Sequence, residues 1–356
     1  MELKLNKFLP LAGLLCLCSM SSAQAGSDDD YQKPAGQMQM DSNGSYKEIT
    51  PNAGPRVTDG VDVAITADFI YWYTEQDGMG YAITGFGDGT TSASSGKVYQ
   101  TGGNWEPGFK VGLGLGLGHD GWDLNAEYTW LQMSTSGSVT ASDIYPMWNI
   151  ANAYNSPTHG TVTSASNNTN FHFNVIDLEL GRNYYISQHL TLRPFAGLKG
   201  SWQTQKYNVE YTQSATIREM SNNQKYWAVG LRSGMDTAWH FTKEWSIFGD
   251  MALSALWANF KVTRTDETGP NPEVEASEVT VFSTKSTVNT VKPVLEMALG
   301  LRWETWFSDN DYHFMIQAGW EEQIWFSMNQ QLHLNEQAAH GDLGLQGLTI
   351  KVRFDF

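Results

Sequence analysis

Fifteen charged side chains stand at alternate positions between apolar neighbours: Lys110, Glu127, Asp177, Glu179, Arg193, Lys199, Arg232, Asp236, Asp250, Glu296, Arg302, Glu304, Glu321, Lys351 and Arg353. In extended chain, alternate residues share a face. Groups of both signs converging on an enclosed space set up a transverse field that ranks solutes by charge. Packed tightly, the same groups become buried ion pairs and fill that space. Covalent chemistry is harder to build, because nucleophile, base and orienting group must converge. The histidines show no such pattern: His119, His189 and His240 fall beside short connections, His159, His333 and His340 in long ones, and His172 and His313 stand alone. No paired-histidine metal spacing occurs. The expectation is a protein that is not an enzyme and uses no cofactor or metal; a hydrolase assembled across strands is the lesser alternative.

The elements that position these charges are strands. "VDVAITADFIYWY" puts Val61, Val63, Ile65, Ala67, Phe69, Tyr71 and Tyr73 on one face, and "GFKVGLGLGLG" and "WDLNAEYTW" alternate likewise. Further strands are expected at 171–184, 190–202, 225–241, 245–260, 290–307, 312–326 and 343–356. A phase change at Val175-Ile176 predicts a bulge, and Pro194 and Pro293 predict interrupted ladders. Connections alternate strictly: short near 119–121, 186–189, 242–244 and 308–311, long over 74–106, 131–170, 203–224, 261–289 and 327–342. Aromatics gather at strand ends (Tyr71-Trp72-Tyr73, Trp122, Trp130, Tyr184-Tyr185, Trp239, Trp245, Trp303, Trp306, Trp325-Phe326), as in interfacial girdles.

The chain opens with basic "MELKLNK", apolar "FLPLAGLLCLCSM" and "SSAQA", a secretory signal cut after Ala23-Gln24-Ala25, before Gly26. Both cysteines, Cys16 and Cys18, lie within it, so disulfides and thiolate chemistry are not expected. Its removal takes Lys4, Lys7 and Glu2 from 22 basic and 38 acidic residues. The resulting net charge of about −17 argues against nucleic acid as a partner. Strands that alternate lipid-facing and inward residues reconcile a membrane location with a mean hydropathy of −0.38. The closing "GLTIKVRFDF" sets Leu348, Ile350, Val352, Phe354 and Phe356 on one face, the pattern by which the outer-membrane assembly machinery recognises its clients.

These signs predict an all-β, antiparallel transmembrane up-and-down β-barrel of about ten strands, or twelve if the long connections hide a further pair, with short periplasmic turns and long extracellular loops. The domains are a signal peptide (1–25), a flexible periplasmic N-terminal segment (26–60) and an outer-membrane β-barrel (61–356). Partners follow: outer-membrane lipid and lipopolysaccharide, the assembly machinery, and small hydrophilic solutes or ions, with the oligomeric state left open. The acidic run Asp266, Glu267, Glu273, Glu275 and Glu278 reads as a solvated loop or a site for divalent cations shared with lipopolysaccharide. The loop "YPMWNIANAYNSP" (145–157) either grips a partner or folds inward. Inward glycines (Gly112, Gly114, Gly116, Gly197, Gly230, Gly300, Gly319) leave room for a lumen, yet a barrel this narrow lies near the filled end of the range. The expected function is passive diffusion of small hydrophilic solutes or ions through a lumen lined by the mixed charges; a plugged barrel acting as surface adhesin or structural outer-membrane protein is the alternative.

The segments "ADFIYWYTEQDGMGYA", "WEPGFKVGLGLGLGHDGWDLNAEYTWL", "DLELGRNYYIS", "LRPFAGLKG", "GLRSGMDTAWHF" and "QAGWEEQIWF" resemble the pore-forming, major-outer-membrane-protein-like family of Legionella and chlamydia-related bacteria. The resemblance covers nearly all of 61–356. It implies a porin-like barrel in a Gram-negative outer membrane that passes small hydrophilic solutes or ions, and it offers no catalytic motif. Chlamydial members are cysteine-rich and cross-linked; the absence of cysteine after residue 18 departs from that pattern.

Overall fold

A computed structural model describes residues 62–85, 95–117, 121–150, 162–187, 189–213, 216–270, 279–308, 311–334 and 341–356. The expected signal peptide with Ala23, Ala25 and Gly26, and the lead-in over 26–60, lie outside the described residues. In chain order the strands are β1 (Asp62–Gln76), β2 (Gly80–Thr84), β3 (Lys97–Gln100), β4 (Asn104–Gly116), β5 (Trp122–Pro146), β6 (Val162–Arg182) and β7 (Tyr184–Tyr185). Then come β8 (Leu190–Gln213), β9 (Thr216–His240), β10 (Trp245–Pro270), β11 (Val279–Phe307), β12 (Tyr312–Trp325) and β13 (Leu343–Asp355). Ten of them pair antiparallel in a closed ring, β1-β4-β5-β6-β8-β9-β10-β11-β12-β13 and back to β1. Closure leaves no unpaired edge in the bilayer, as a strand-built membrane protein requires. β2 and β3 form a hairpin on the far end of β5, and β7 is a short stub on β8.

The four short connections all fall at the end that holds both termini, the periplasmic end. At the seam, the Val63 N–H donates to the Phe356 carbonyl and the Phe356 N–H to the Val63 carbonyl, both at 2.9 Å. The long connections expected at 131–170, 203–224 and 261–289 are instead mostly strand, since β5, β6, β8, β9, β10 and β11 run far beyond the membrane.

The bulge expected at Val175-Ile176 is absent. Pairing is continuous there on both sides, Val175 with Thr129 and Ser201, Ile176 with Tyr128 and Gly200. What changes is the medium outside. Ile176, Leu178 and Leu180 are exposed outward, whereas Phe171, Phe173 and Val175 are buried inside the ring. Toward the periplasm the outer face meets lipid and the inner face is polar; beyond the membrane the outer face meets water and the inner face becomes a core. β5 inverts at the same height, from outward Trp130 to outward Gln132 and Ser134, with Leu131 and Met133 inside.

Aromatic rings mark both boundaries. Outward Trp130, Trp202, Trp227 and Trp257 hold the outer one, and Trp239, Trp245, Phe307, Tyr312 and Phe356 the inner one. Trp227 and Trp239 are twelve residues apart on β9, roughly 40 Å of strand and about 30 Å of membrane depth once tilted. Trp72 and Trp325 were expected in a girdle, but they point inward and are fully buried. Trp306 is likewise part of the inner lining.

Pro194 and Pro293 sit where a neighbour's ladder breaks. Pro194 lies between the last β6 pair, Gly181 with Phe195, and the first β7 pair, Tyr184 with Leu192. Pro293 lies one residue past the last β12 pair, Val294 with Trp325. β12, β13, β1 and β4 stop near the outer boundary, so six strands continue above it as a half-shell. There the stretch of β11 before Pro293 pairs with β10 but has no backbone partner on its other side among the described residues.

Candidate functional site

All fifteen charged residues singled out in the sequence point into the ring, and all but Lys199 line one cavity that opens at the periplasmic end. With the solvent at its mouth this vestibule holds about 2350 Å³. Its lining carries twelve Asp and Glu residues against six Lys and Arg.

The charges are matched by register and by reach across the ring. Asp68 on β1 stands opposite Lys110 on β4 and Lys351 on β13. Lys351 Nζ lies 2.9 Å from Glu127 and 3.3 Å from Asp68. Lys110 Nζ crosses to Glu321 at 2.7 Å, with Glu127 at 3.6 Å. A second group centres on Lys199, 2.8 Å from both Asp177 and Glu296, with Arg232 bridging Glu296 at 2.7 Å and pairing with Glu179. Arg193 gathers Asp123 at 2.5 Å, Asp236 at 2.7 Å and Glu179 at 3.3 Å.

At the mouth, His313, isolated in sequence, meets Asp355 at 2.6 Å and Glu304 at 3.5 Å, and Glu304 faces His240 at 3.6 Å. Arg353 pairs with Asp355 at 2.5 Å. Asp250 and Arg302 also line the wall, the latter against the Phe248 ring at 5.6 Å. Asp68, Asp123 and Asp355 were not singled out in the sequence, and His240 and His313 were set aside there as unpatterned histidines. Their parity on the strand was the available signal.

The polar layer ends at a hydrogen-bonded roof. Thr349 donates to Glu321 at 2.8 Å and accepts from the Trp72 indole at 3.1 Å. Gln323 donates to Glu321 at 2.9 Å and accepts from the Trp325 indole at 3.1 Å. Each buried indole N–H therefore has its partner below, while its ring joins the layer above. That layer contains Ile70, Trp72, Leu131, Phe173, Leu256, Phe260 and Trp325, all fully buried. Phe173 meets Trp325 edge-on at 5.3 Å. Two of the glycines expected to leave room, Gly300 and Gly319, are covered by Phe248; Gly234, outside that set, is covered by Phe195.

Above the apolar layer, the β12–β13 connection turns inward as a strap. Gln224 donates to the Met328 carbonyl at 2.9 Å and accepts from the Gln330 N–H at 2.9 Å. Lys292 holds the Ser327 carbonyl at 2.5 Å, and Arg264 holds the Leu332 carbonyl at 2.8 Å. Arg264 also binds the Asn149 carbonyl, drawing in the start of the 145–157 loop, whose Trp148 and Ile150 are buried. Asp266, read as a loop residue, is buried against Arg264 at 2.7 Å, while Glu273, Glu275 and Glu278 lie outside the described residues. Where the strap meets the end of β1, burial, then the Asp342 carboxylate, raises the Asp77 carboxyl above its ordinary range.

Among solved structures, the outer membrane protease OmpT from Escherichia coli is similar at 10% identity, with 83% of this chain and 96% of that one covered and a TM-score of 0.41. A major outer membrane protein from Thermus thermophilus gives 10%, 84%, 100% and 0.27. A Pseudomonas aeruginosa FadL homologue gives 8%, 84%, 90% and 0.23. Likeness at this level carries no argument about activity. No curated protein sequence matches. The family model described as Legionella pneumophila major outer membrane protein precursor matches residues 55–356, the whole closed ring included. The chain is thus an outer-membrane β-barrel that belongs to the Legionella major outer membrane protein family.

Proposed function

We propose that the protein is a sealed outer-membrane barrel with a structural and surface-presenting role. The observation that carries this reading is the apolar layer across the ring, backed by the strap from Ser327 to Leu332. Water and ions do not cross a close-packed apolar plug of this kind without its displacement. The half-shell supports the same role, because strands that need only span a membrane have no reason to continue beyond it.

A second reading, passive diffusion of small hydrophilic solutes or ions, draws on the vestibule. A half-channel with twelve carboxylates and six Lys and Arg is an aqueous entry that favours cations. Single-channel recording of residues 26–356, refolded into a planar bilayer, decides between the two. A barrel that inserts without discrete openings is expected, with steps emerging only when Trp72, Phe173 and Trp325 are all replaced by alanine. Salt-dependent openings in the wild-type protein, with cation-biased reversal potentials, would replace the sealed barrel with the diffusion reading.

The lipid-facing row Leu348, Ile350, Val352, Phe354 and Phe356 is assigned to recognition by the assembly machinery. Phe356→Ala, or a charged tail after it, is expected to lower the amount reaching the outer membrane severalfold, read by membrane fractionation. Normal amounts would dismiss that assignment.

A further inference from the structure

The outer face of the half-shell carries a basic patch that neither the vestibule nor the seal uses. Lys206 on β8, Lys225 on β9, Lys261 on β10 and Lys285 on β11 are all exposed. Register gathers them. Lys206 pairs with Asn223, Asn223 with Thr263 and Thr263 with Lys285. In the next row toward the membrane, Thr204 pairs with Lys225, Lys225 with Lys261 and Lys261 with Thr287. Two adjacent rows across four strands thus read Lys-Asn-Thr-Lys and Thr-Lys-Lys-Thr. At the usual strand separation the four ammonium groups share a patch roughly 15 Å wide.

No carboxylate pairs with any of the four among the described residues. Lys225 and Lys261 stand directly opposite one another, an arrangement that destabilises a sheet unless an anion lies between them. The row below holds Trp202 paired with Trp227, and Trp257 lies one row lower. Those rings mark the outer interface, so the lysines stand at the height of the outer-leaflet headgroups. On β6 and β5 the same two rows carry uncharged or imidazole groups: Asn170 and Ser134 in line with Lys206, and His172 and Gln132 in line with Thr204. On a chain of net charge −16 this is a local reversal of sign.

We propose that this patch binds the phosphorylated headgroup of an outer-leaflet glycolipid. The four ammonium groups engage its phosphates, and Trp202 and Trp227 lie against the start of its acyl chains. A juxtamembrane lysine contributes about 1 kcal/mol toward an anionic lipid surface, near fivefold in affinity. A doubly phosphorylated glycolipid satisfies the lysines in pairs, which a singly charged phospholipid does not.

The test is native mass spectrometry of the detergent-folded full chain with bisphosphorylated lipid A, its monophosphorylated form, or phosphatidylglycerol, and with inorganic phosphate as competitor. One bisphosphorylated lipid per barrel is expected, held at least tenfold tighter than phosphatidylglycerol and not displaced by millimolar phosphate. Replacing Lys206, Lys225, Lys261 and Lys285 together by glutamine is expected to weaken it roughly a hundredfold or more. Lys225→Gln with Lys261→Gln guards against a folding artefact. Without lipid this pair should raise the thermal midpoint by removing like-charge repulsion; with bisphosphorylated lipid A present the wild type should be the more stable. Equal retention of all three lipids, unchanged retention by the glutamine variants, displacement by phosphate, or an order of stability that does not reverse would each overturn the proposal.

Discussion

Lys199→Met is expected to destabilise the barrel by about 3–5 kcal/mol, the cost of stranding buried carboxylates. The Lys199 side chain is 1% exposed and is held 2.8 Å from both Asp177 and Glu296. Arg232 already serves Glu296 and Glu179 and lies 3.8 Å from Asp177, so it cannot take over the lost contact to Asp177 without giving up another. Urea unfolding in lipid vesicles, followed by tryptophan fluorescence, reads the loss. Adding Asp177→Asn removes the stranded charge and should recover at least half of it. An unchanged midpoint for Lys199→Met would mean that the ion cluster is not part of what holds the ring together.

Gly300→Val should cost about 3 kcal/mol or more, read as a lowered urea midpoint in lipid vesicles. Gly300 stands directly opposite Gly319, and the Phe248 ring lies over both. A Cβ at Gly300 would meet the Ala318 carbonyl and, at 2.7 Å, the Phe248 ring. The ring fills the space that two missing side chains leave in a narrow lumen. Because the sites are in contact, their effects should not add. Gly300→Ala combined with Phe248→Leu should be less damaging than the two single changes predict, and strict additivity would argue against the slot.

The ten-strand ring was legible because period two survives from end to end: residues as far apart as Lys110 and Arg353 fall on the inner face that alternation assigned to them. Pairing was not legible. Lys110 and Glu321 are 211 positions apart, and only closure brings them to 2.7 Å. Nor does alternation say what lies outside a strand. Val175-Ile176 looked like a slipped register because apolar residues changed sides, whereas the strand is regular and it is the solvent that changes. The same ambiguity put Trp72 and Trp325 in a girdle, since an indole suits a headgroup boundary and a packed lumen equally well. The strap could not be foreseen, because its anchors are backbone carbonyls taken by Gln224, Arg264 and Lys292.

The unpaired side of β11 has a consequence for handling the protein. From residue 279 to Lys292 the side of β11 away from β10 offers a run of amides and carbonyls with no backbone partner among the described residues, a template on which further strands pair. In a membrane every copy stands the same way up, so two such edges always run in the same sense and cross at roughly twice the strand tilt. Antiparallel self-pairing is then forbidden by geometry alone. Micelles lift that rule, since two extracted barrels are free to meet head to head. A dimer seen after solubilisation therefore says nothing about company kept in the cell envelope. The bilayer acts as a chaperone for an edge that the described residues leave bare.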